Sequence, residues 1–262
     1  MFSIDKLAYI SQLRKVNPTE KFIFAIFTMF ICIALNNTIV SITVLLLMSA
    51  ITVFKGEIPF GTYIKLMSLP LAFLIVGIIT IAINMVHSSD NLIFGFSILN
   101  IRLGCTTESL ETATRLFFKS LASVSCLYFL TLSTPVFEVL SVLKKLRVPK
   151  LFIELMGLIY RFIFVLLDTV NMIYISQNSR LGYSTLKLSY NSLAKLISSL
   201  FISSYKRSQD IYTAMESRCY DGDINLLEES YPSSSKRILL IIITEITLVL
   251  IAYGEYVVQL RL

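Results

Sequence analysis

The stretch "FIFAIFTMFICIALNNTIVSITVLLLMSAITVF", Phe22 to Phe54, decides the fold class. It holds two apolar runs without a charged side chain, parted by the turn "LNNT" from Leu35 to Thr38. A hydrocarbon core about 30 Å thick needs roughly 20 helical residues per crossing. The two runs, 22–36 and 38–54, therefore read as a tight helical hairpin in the bilayer. Both are short, so each crosses with little tilt or through locally thin bilayer. The rest of the chain agrees: of 262 residues, 55% are hydrophobic and 15% charged, with a mean hydropathy of +0.76. These values lie outside the range of soluble domains of this size. Three more runs, 66–86, 113–132 and 238–258, bring the expected spans to five.

Lys and Arg near the ends of spans set orientation. Lys6, Arg14, Lys15 and Lys21 precede the first span, Lys55 and Lys65 flank the loop after the second, and Lys144, Lys145, Arg147 and Lys150 follow the fourth. The Asn36–Asn37 turn is uncharged, and the loop from His87 to Glu111 sets Arg102 against Asp90, Glu108 and Glu111. The pattern predicts a cytoplasmic N-terminus, a cytoplasmic segment from 133 to 237, and an external C-terminus. The expected division is 1–132 for the N-terminal spans, 133–237 for the cytoplasmic part and 238–262 for the last span. About twenty mixed polar residues precede the first apolar run, which is unlike a cleavable signal.

Several chemistries lack their residues. Cys32, Cys105, Cys126 and Cys219 are scattered without CxxC spacing, so neither a disulfide framework nor a zinc site is expected. The net charge of +6 follows from the topology rule rather than from nucleic-acid binding. The single histidine, His87, has only Asp90 near it, too few ligands for a metal. No G-x-x-x-x-G-K-[ST] loop is present to cradle a nucleotide.

The long segment before the last run keeps helical periodicity. "STPVFEVLSVLKKLRVPK" opens with Thr134 as a cap and Pro135 in the first turn, with Glu138 at the positive helix end. Lys144, Lys145 and Arg147 suit the negative end before Pro149 stops it. Val136, Val139, Leu140 and Leu143 share a face, as in a short surface helix. Next, "LFIELMGLIYRFIFVLLDTVNMIYISQNSRLGY" is interrupted by Glu154, Arg161 and Asp168 at intervals of seven residues. That spacing puts the three charges on one stripe, a polar seam facing other helices or water rather than lipid. The third piece, Asn191 to Arg218, carries Leu193, Ile197, Leu200, Phe201, Ser204, Ile211, Tyr212 and Met215 on one side. A helix of that length extends about 42 Å and has a wet side, so it lies on or below the membrane surface.

Both long helices finish alike. "QNSRLGY" has Arg180 before Gly182, and "MESRCYDG" has Arg218 before Gly222; each glycine is expected to release its helix through a left-handed backbone. A basic residue at a helix C-terminus gains a few tenths to about 1 kcal/mol from the dipole, which would explain one such arginine. The repeat on two neighbouring helices asks for more.

At these residues the chain resembles the transmembrane, or T, component of energy-coupling factor transporters, the CbiQ/EcfT family, and most closely the cobalt-type CbiQ proteins. The matching positions are Ser179, Arg180 and Leu181, and Ser217, Arg218 and Cys219 preceded by Ala214, Met215 and Glu216. Leu181 and Cys219 stand where the family commonly has a small residue. "FSIDKLAY", "NPTEKF", "LGCTTESL" and "STPVFEVLSVLKKLRVP" resemble family landmarks in family order, so the likeness spans nearly the whole chain. The resemblance implies an all-α, L-shaped integral membrane protein of about five transmembrane helices plus long cytoplasmic amphipathic coupling helices, in a bacterial or archaeal cell membrane. It further implies that the two arginine endings dock on a pair of ATP-binding-cassette ATPase subunits. ATP is then used by those partners, no cofactor is bound directly, and a separate membrane subunit captures the substrate. Cobalt uptake is the expected task, with a T component shared by several vitamin-binding subunits as the alternative. Two other classes are weighed from the residues. An intramembrane enzyme using Glu154, Arg161, Asp168 or Glu245 lacks a nucleophile and base at motif-like spacing. An independent channel or carrier would show internal repeats with broken helices.

Overall fold

The computed structural model describes residues 3–82, 84–85, 92–98, 101–221, 231–232 and 234–259. Asn17 caps α2 (Pro18–Leu35), its side chain accepting from the Thr19 amide. Asn36 takes a left-handed backbone (φ 47°) and Asn37 caps α3 (Thr38–Ala50), its Oδ1 accepting from Ile39 at 2.8 Å and Val40 at 3.4 Å. The two asparagines thus close the expected hairpin with no glycine, because Asn tolerates the left-handed region. α3 runs on through a π-helical turn, Ile51–Lys55, so the second span ends at Lys55. A short helix, α1 (Ser3–Ile10), precedes these spans. They are followed by α4 (Phe60–Ala82), α5 (Thr107–Ser133), α6 (Val136–Lys145), α7 (Lys150–Ser179), α8 (Leu186–Glu216) and α9 (Ser235–Gln259).

Among the described residues, five helices are long and apolar enough to cross a membrane: Pro18–Leu35, Thr38–Lys55, Phe60–Ile81, Ser109–Ser133 and Ser235–Gly254. They correspond one to one with the five predicted runs, and the chain is, as expected, a membrane protein built on α-helices, with one small sheet between the third and fourth spans. The third begins six residues before the predicted 66. Lys65 does not end it: that side chain is exposed, and the helix continues through it. Where a polar loop was expected, the backbone forms a small antiparallel sheet in the order β1–β3–β2, from β1 (Asn84–Met85), β2 (Leu92–Ile98) and β3 (Ile101–Thr106). Phe94, Phe96 and Ile98 alternate with Gly95 and Ser97, a period-two signal that charge counting passes over. His87 and Asp90 lie outside the described residues.

The chain divides into two compact units, Leu140–Glu229 and a membrane unit of Phe2–Val139 with Ser230–Leu262. Inside the membrane unit α5 is central: α1, α2, α3 and α4 all pack on it, and α9 packs on α2 and α3. The shared surface is lined by small or β-branched side chains: Thr28, Cys32, Val40, Ser41, Val44, Ala122, Ser125 and Cys126 are all buried. In lipid there is no hydrophobic drive between helices, so small residues that admit close approach supply the contact. Glu245, midway along α9, accepts a hydrogen bond from Thr28 Oγ1 at 2.7 Å, a polar tie between α9 and α2.

Close packing at α5 sets an asymmetry. Ala122 is 0% exposed and Phe73, on α4, is 79% exposed. Ala122→Leu is expected to cost about 1–3 kcal/mol by overpacking, whereas Phe73→Ala should change little. Thermal unfolding of the detergent-solubilised chain reads both, and equal sensitivity at the two positions would contradict this packing.

Candidate functional site

α7 and α8 form an antiparallel pair within their own unit. At the connecting turn, Gln177 Nε2 donates to Ser192 O at 3.0 Å, Ser192 Oγ donates to Gly182 O at 2.8 Å, and the Tyr183 hydroxyl donates to Gln177 Oε1 at 2.7 Å. A Cβ on Gly182 would lie 2.7 Å from Ser192 Oγ and 2.8 Å from Gln177 O. Glycine is therefore required there for close approach. At the far end, the Tyr220 hydroxyl donates to Glu154 Oε2 at 2.9 Å, returning the end of α8 to the first turns of α7.

The two arginines close their helices with the same backbone motif. In the first, the Gly182 amide donates to Gln177 O at 2.9 Å and the Leu181 amide to Asn178 O at 3.0 Å; in the second, the Tyr220 amide donates to Met215 O and the Cys219 amide to Glu216 O, both at 3.0 Å. These are the 6→1 and 5→2 bonds of a Schellman ending. Ser179 Oγ donates to Ile175 O at 2.9 Å and Ser217 Oγ to Thr213 O at 2.8 Å, each one turn back. Position for position, Ser179, Arg180 and Leu181 repeat as Ser217, Arg218 and Cys219. The left-handed residues are Leu181 (φ 57°) and Cys219 (φ 58°), not the expected glycines. Gly182 instead serves the close approach, and Gly222 lies outside the described residues. An L-residue in this region costs about 1–2 kcal/mol because its Cβ crowds the carbonyl oxygen, a cost that only glycine avoids.

Both arginines are exposed, as are Leu181, Cys219 and Ala214. α8 has 31 residues, so at 1.5 Å per residue the two guanidiniums are on the order of 45 Å apart, at opposite ends of the pair. Each offers a rigid fork of donors suited to bidentate capture of a carboxylate. Of the predicted seam, Glu154 is tied to Tyr220, while Arg161 and Asp168 are exposed. The predicted apolar side of α8 is split. Leu200, Ser204, Ile211 and Met215 are half-buried, while Leu193, Ile197, Phe201 and Tyr212 remain open with α8's neighbour covering only part of the stripe. On α6, Leu140 and Val142 are the buried residues and Val136 is exposed, so its covered face is rotated from the predicted one. Among the described residues, no three His, Cys, Asp or Glu side chains converge to hold a metal ion.

A second polar constellation was not found in the sequence. Lys21, at the foot of α2, is 3% exposed; its Nζ donates to Ser133 O at 2.8 Å and Leu13 O at 3.1 Å and lies 3.5 Å from Glu138 Oε2. Glu138 Oε1 accepts from the Tyr231 hydroxyl at 3.0 Å, with Arg14 Nε 3.8 Å away. Burial raises the Glu138 carboxyl above the ordinary range, opposed by the Lys21 charge and the Tyr231 bond. Glu20, also buried, accepts from Arg237 Nε at 2.8 Å and the Ser234 amide at 3.1 Å, and Asn17 Nδ2 donates to Tyr231 O at 3.2 Å. The cluster's local signal is the run "NPTEK", in which two charges open an apolar span; the partners Glu138, Tyr231 and Arg237 lie too far along the chain to be read with it.

Comparison with known proteins adds the following. The family profile described as "Cobalt transport protein" (CbiQ) matches residues 11–228. The chain is 34% identical to an uncharacterised protein of Methanocaldococcus jannaschii over 95% of this chain and 92% of that one. It is 31% identical to the cobalt transport protein CbiQ of Salmonella typhimurium, over 86% of this chain and 100% of the other. It is 32% identical to the energy-coupling factor transporter transmembrane protein EcfT of Ruminiclostridium cellulolyticum, over 81% and 80%.

Two outcomes follow from the geometry. Cys219→Gly relieves the left-handed strain and is expected to raise stability by roughly 0.5–1 kcal/mol, while the β-branched Cys219→Val lowers it by about 1 kcal/mol or more; thermal unfolding compares them. Glu138→Gln strands a buried ammonium and is expected to cost about 3 kcal/mol or more. Adding Lys21→Met should return at least half of that loss, and strict additivity in the double-mutant cycle would contradict the pairing.

Proposed function

The chain belongs to the CbiQ cobalt transport protein family, and we propose that it is the non-catalytic transmembrane coupling subunit of an ATP-driven importer. In this reading the membrane unit meets a separate substrate-capture membrane subunit, and the α7–α8 unit is cytoplasmic and docks on two ATP-binding-cassette ATPase subunits. The observation that carries it is the pair of matching arginine endings at opposite ends of one antiparallel helical pair. Two equal docking tips at a fixed spacing suit a partner that is itself a pair of like subunits.

The mechanism follows from the side chains. Arg180 and Arg218 remain charged, and each fork can hold an acidic groove by two parallel bonds, which resist sliding. The Schellman bonds and the serine bonds one turn back fix each arginine's backbone, so a push on the guanidinium reaches the helix rather than a loose loop. Closure of the ATPase pair would then displace α7 and α8 as packed elements, by small sliding shifts. ATP binding and hydrolysis belong to the partners.

Cobalt(II) is the proposed cargo, supported by the family description and by the full-length match to a relative named for cobalt transport. Relatives named EcfT favour a second reading, a transmembrane component serving vitamin-binding capture subunits. The capture subunit that co-purifies, and the accumulation of cobalt(II) or a vitamin in vesicles, separates the two.

Arg180→Glu with Arg218→Glu is expected to lower ATP-driven uptake at least tenfold and to release the ATPase pair on purification, with membrane insertion unchanged. Undiminished uptake by that double variant contradicts the coupling role.

A further inference from the structure

The two places where the chain passes between its compact units are fastened to each other. The chain leaves the membrane unit after Val139 and re-enters it at Ser230. Glu138 stands just before the first passage and Tyr231 just after the second, and the Tyr231 hydroxyl donates to Glu138 Oε1 at 3.0 Å. Both are held by the first turn of α2: Lys21 pairs with Glu138, and Asn17 Nδ2 donates to the Tyr231 carbonyl. The returning segment is held again a few residues later. Glu20 takes the Ser234 amide and the Arg237 side chain, and Arg237 Nη2 donates to Pro232 O at 2.8 Å. Lys21 also donates to the Ser133 carbonyl, the last residue of α5. All of these residues belong to the membrane unit.

An inserted unit on two slack connections could move without disturbing its host. Here the connections are bonded to each other through Tyr231 and Glu138 and each is anchored on α2, so drawing the first away would strand the buried Lys21 ammonium and drawing the second away would strand the buried Glu20 carboxylate, both expensive states. The two passages must therefore move as one, together with the ends of α2, α5 and α9 that meet there. We infer that Asn17, Glu20, Lys21, Glu138, Tyr231 and Arg237 form a fulcrum that stays closed during transport and delivers movement of the Leu140–Glu229 unit to the membrane helices. They are positioning residues. The inference rests on the coupling reading above and adds the point at which force enters the spans.

The test uses the full chain assembled with its ATPase pair and capture subunit in lipid vesicles, measuring ATP hydrolysed and cargo accumulated together, with cobalt(II) as the first probe. Tyr231→Phe and Arg237→Gln are expected to assemble and to hydrolyse ATP within twofold of the unmodified chain, yet to move at least fivefold less cargo per ATP. Arg237→Lys should recover the ratio to within twofold. An unchanged ratio in Tyr231→Phe and Arg237→Gln overturns the inference. A second measurement needs no substitution: the Ser234 amide, bonded to Glu20, should stay protected from hydrogen exchange during turnover, and rapid exchange under ATP shows the cluster opening and overturns it too. Failure of the unmodified chain to assemble with any ATPase would sink the coupling reading, and this inference with it, before a variant is made.

Discussion

Charge is costly in hydrocarbon unless it is paired, and the first turn of α2 carries two buried charges that are. The membrane unit holds a buried ionic cluster at the foot of α2, where Lys21 and Glu20 open an apolar helix yet are almost out of reach of solvent. The cost of burying them is offset by geometry: the ammonium has two carbonyls and a carboxylate, and Glu20 has a guanidinium and an amide. Because the Lys21 partners come from three segments and those of Glu20 from the start of α9, satisfying these charges fixes where α5 ends, where α6 begins and how the chain enters α9.

Much of this was legible in the sequence. The five runs gave five helices, and the uncharged Asn36–Asn37 turn became a hairpin closed by one left-handed residue and one cap. The arginine endings could be read because helix C-termini are local: a basic residue, a serine one position before it and a chain release lie within one turn. What failed was finer or farther away. The left-handed residues proved to be Leu181 and Cys219, since sequence position alone does not separate the residue that turns from the glycine beside it. The start of α4 was misplaced because Lys65 looked like a boundary, although a long side chain on an exposed face leaves the helix intact. The ionic cluster could not be seen at all: Lys21 meets a carbonyl 112 residues away and Glu20 an arginine 217 residues away.

The repeated ending is the most informative local feature. Two helices of different sequence close with the same three kinds of bond, and both accept a non-glycine residue at a left-handed position. Strain retained twice at equivalent, exposed places fits a surface shaped for a partner better than a helix end shaped for stability, because stability alone would favour glycine there. The length of α8 sets the two endings at opposite ends of one helical pair.

The most direct test of that surface is site-specific photo-cross-linking in native membranes, with a photoreactive amino acid placed in turn at positions 181 and 219. The account predicts that both positions capture an ATP-binding-cassette ATPase subunit from the cytoplasmic side. Capture of lipid alone at both positions, or labelling of Cys219 by a membrane-impermeant thiol reagent added outside intact cells, would contradict it.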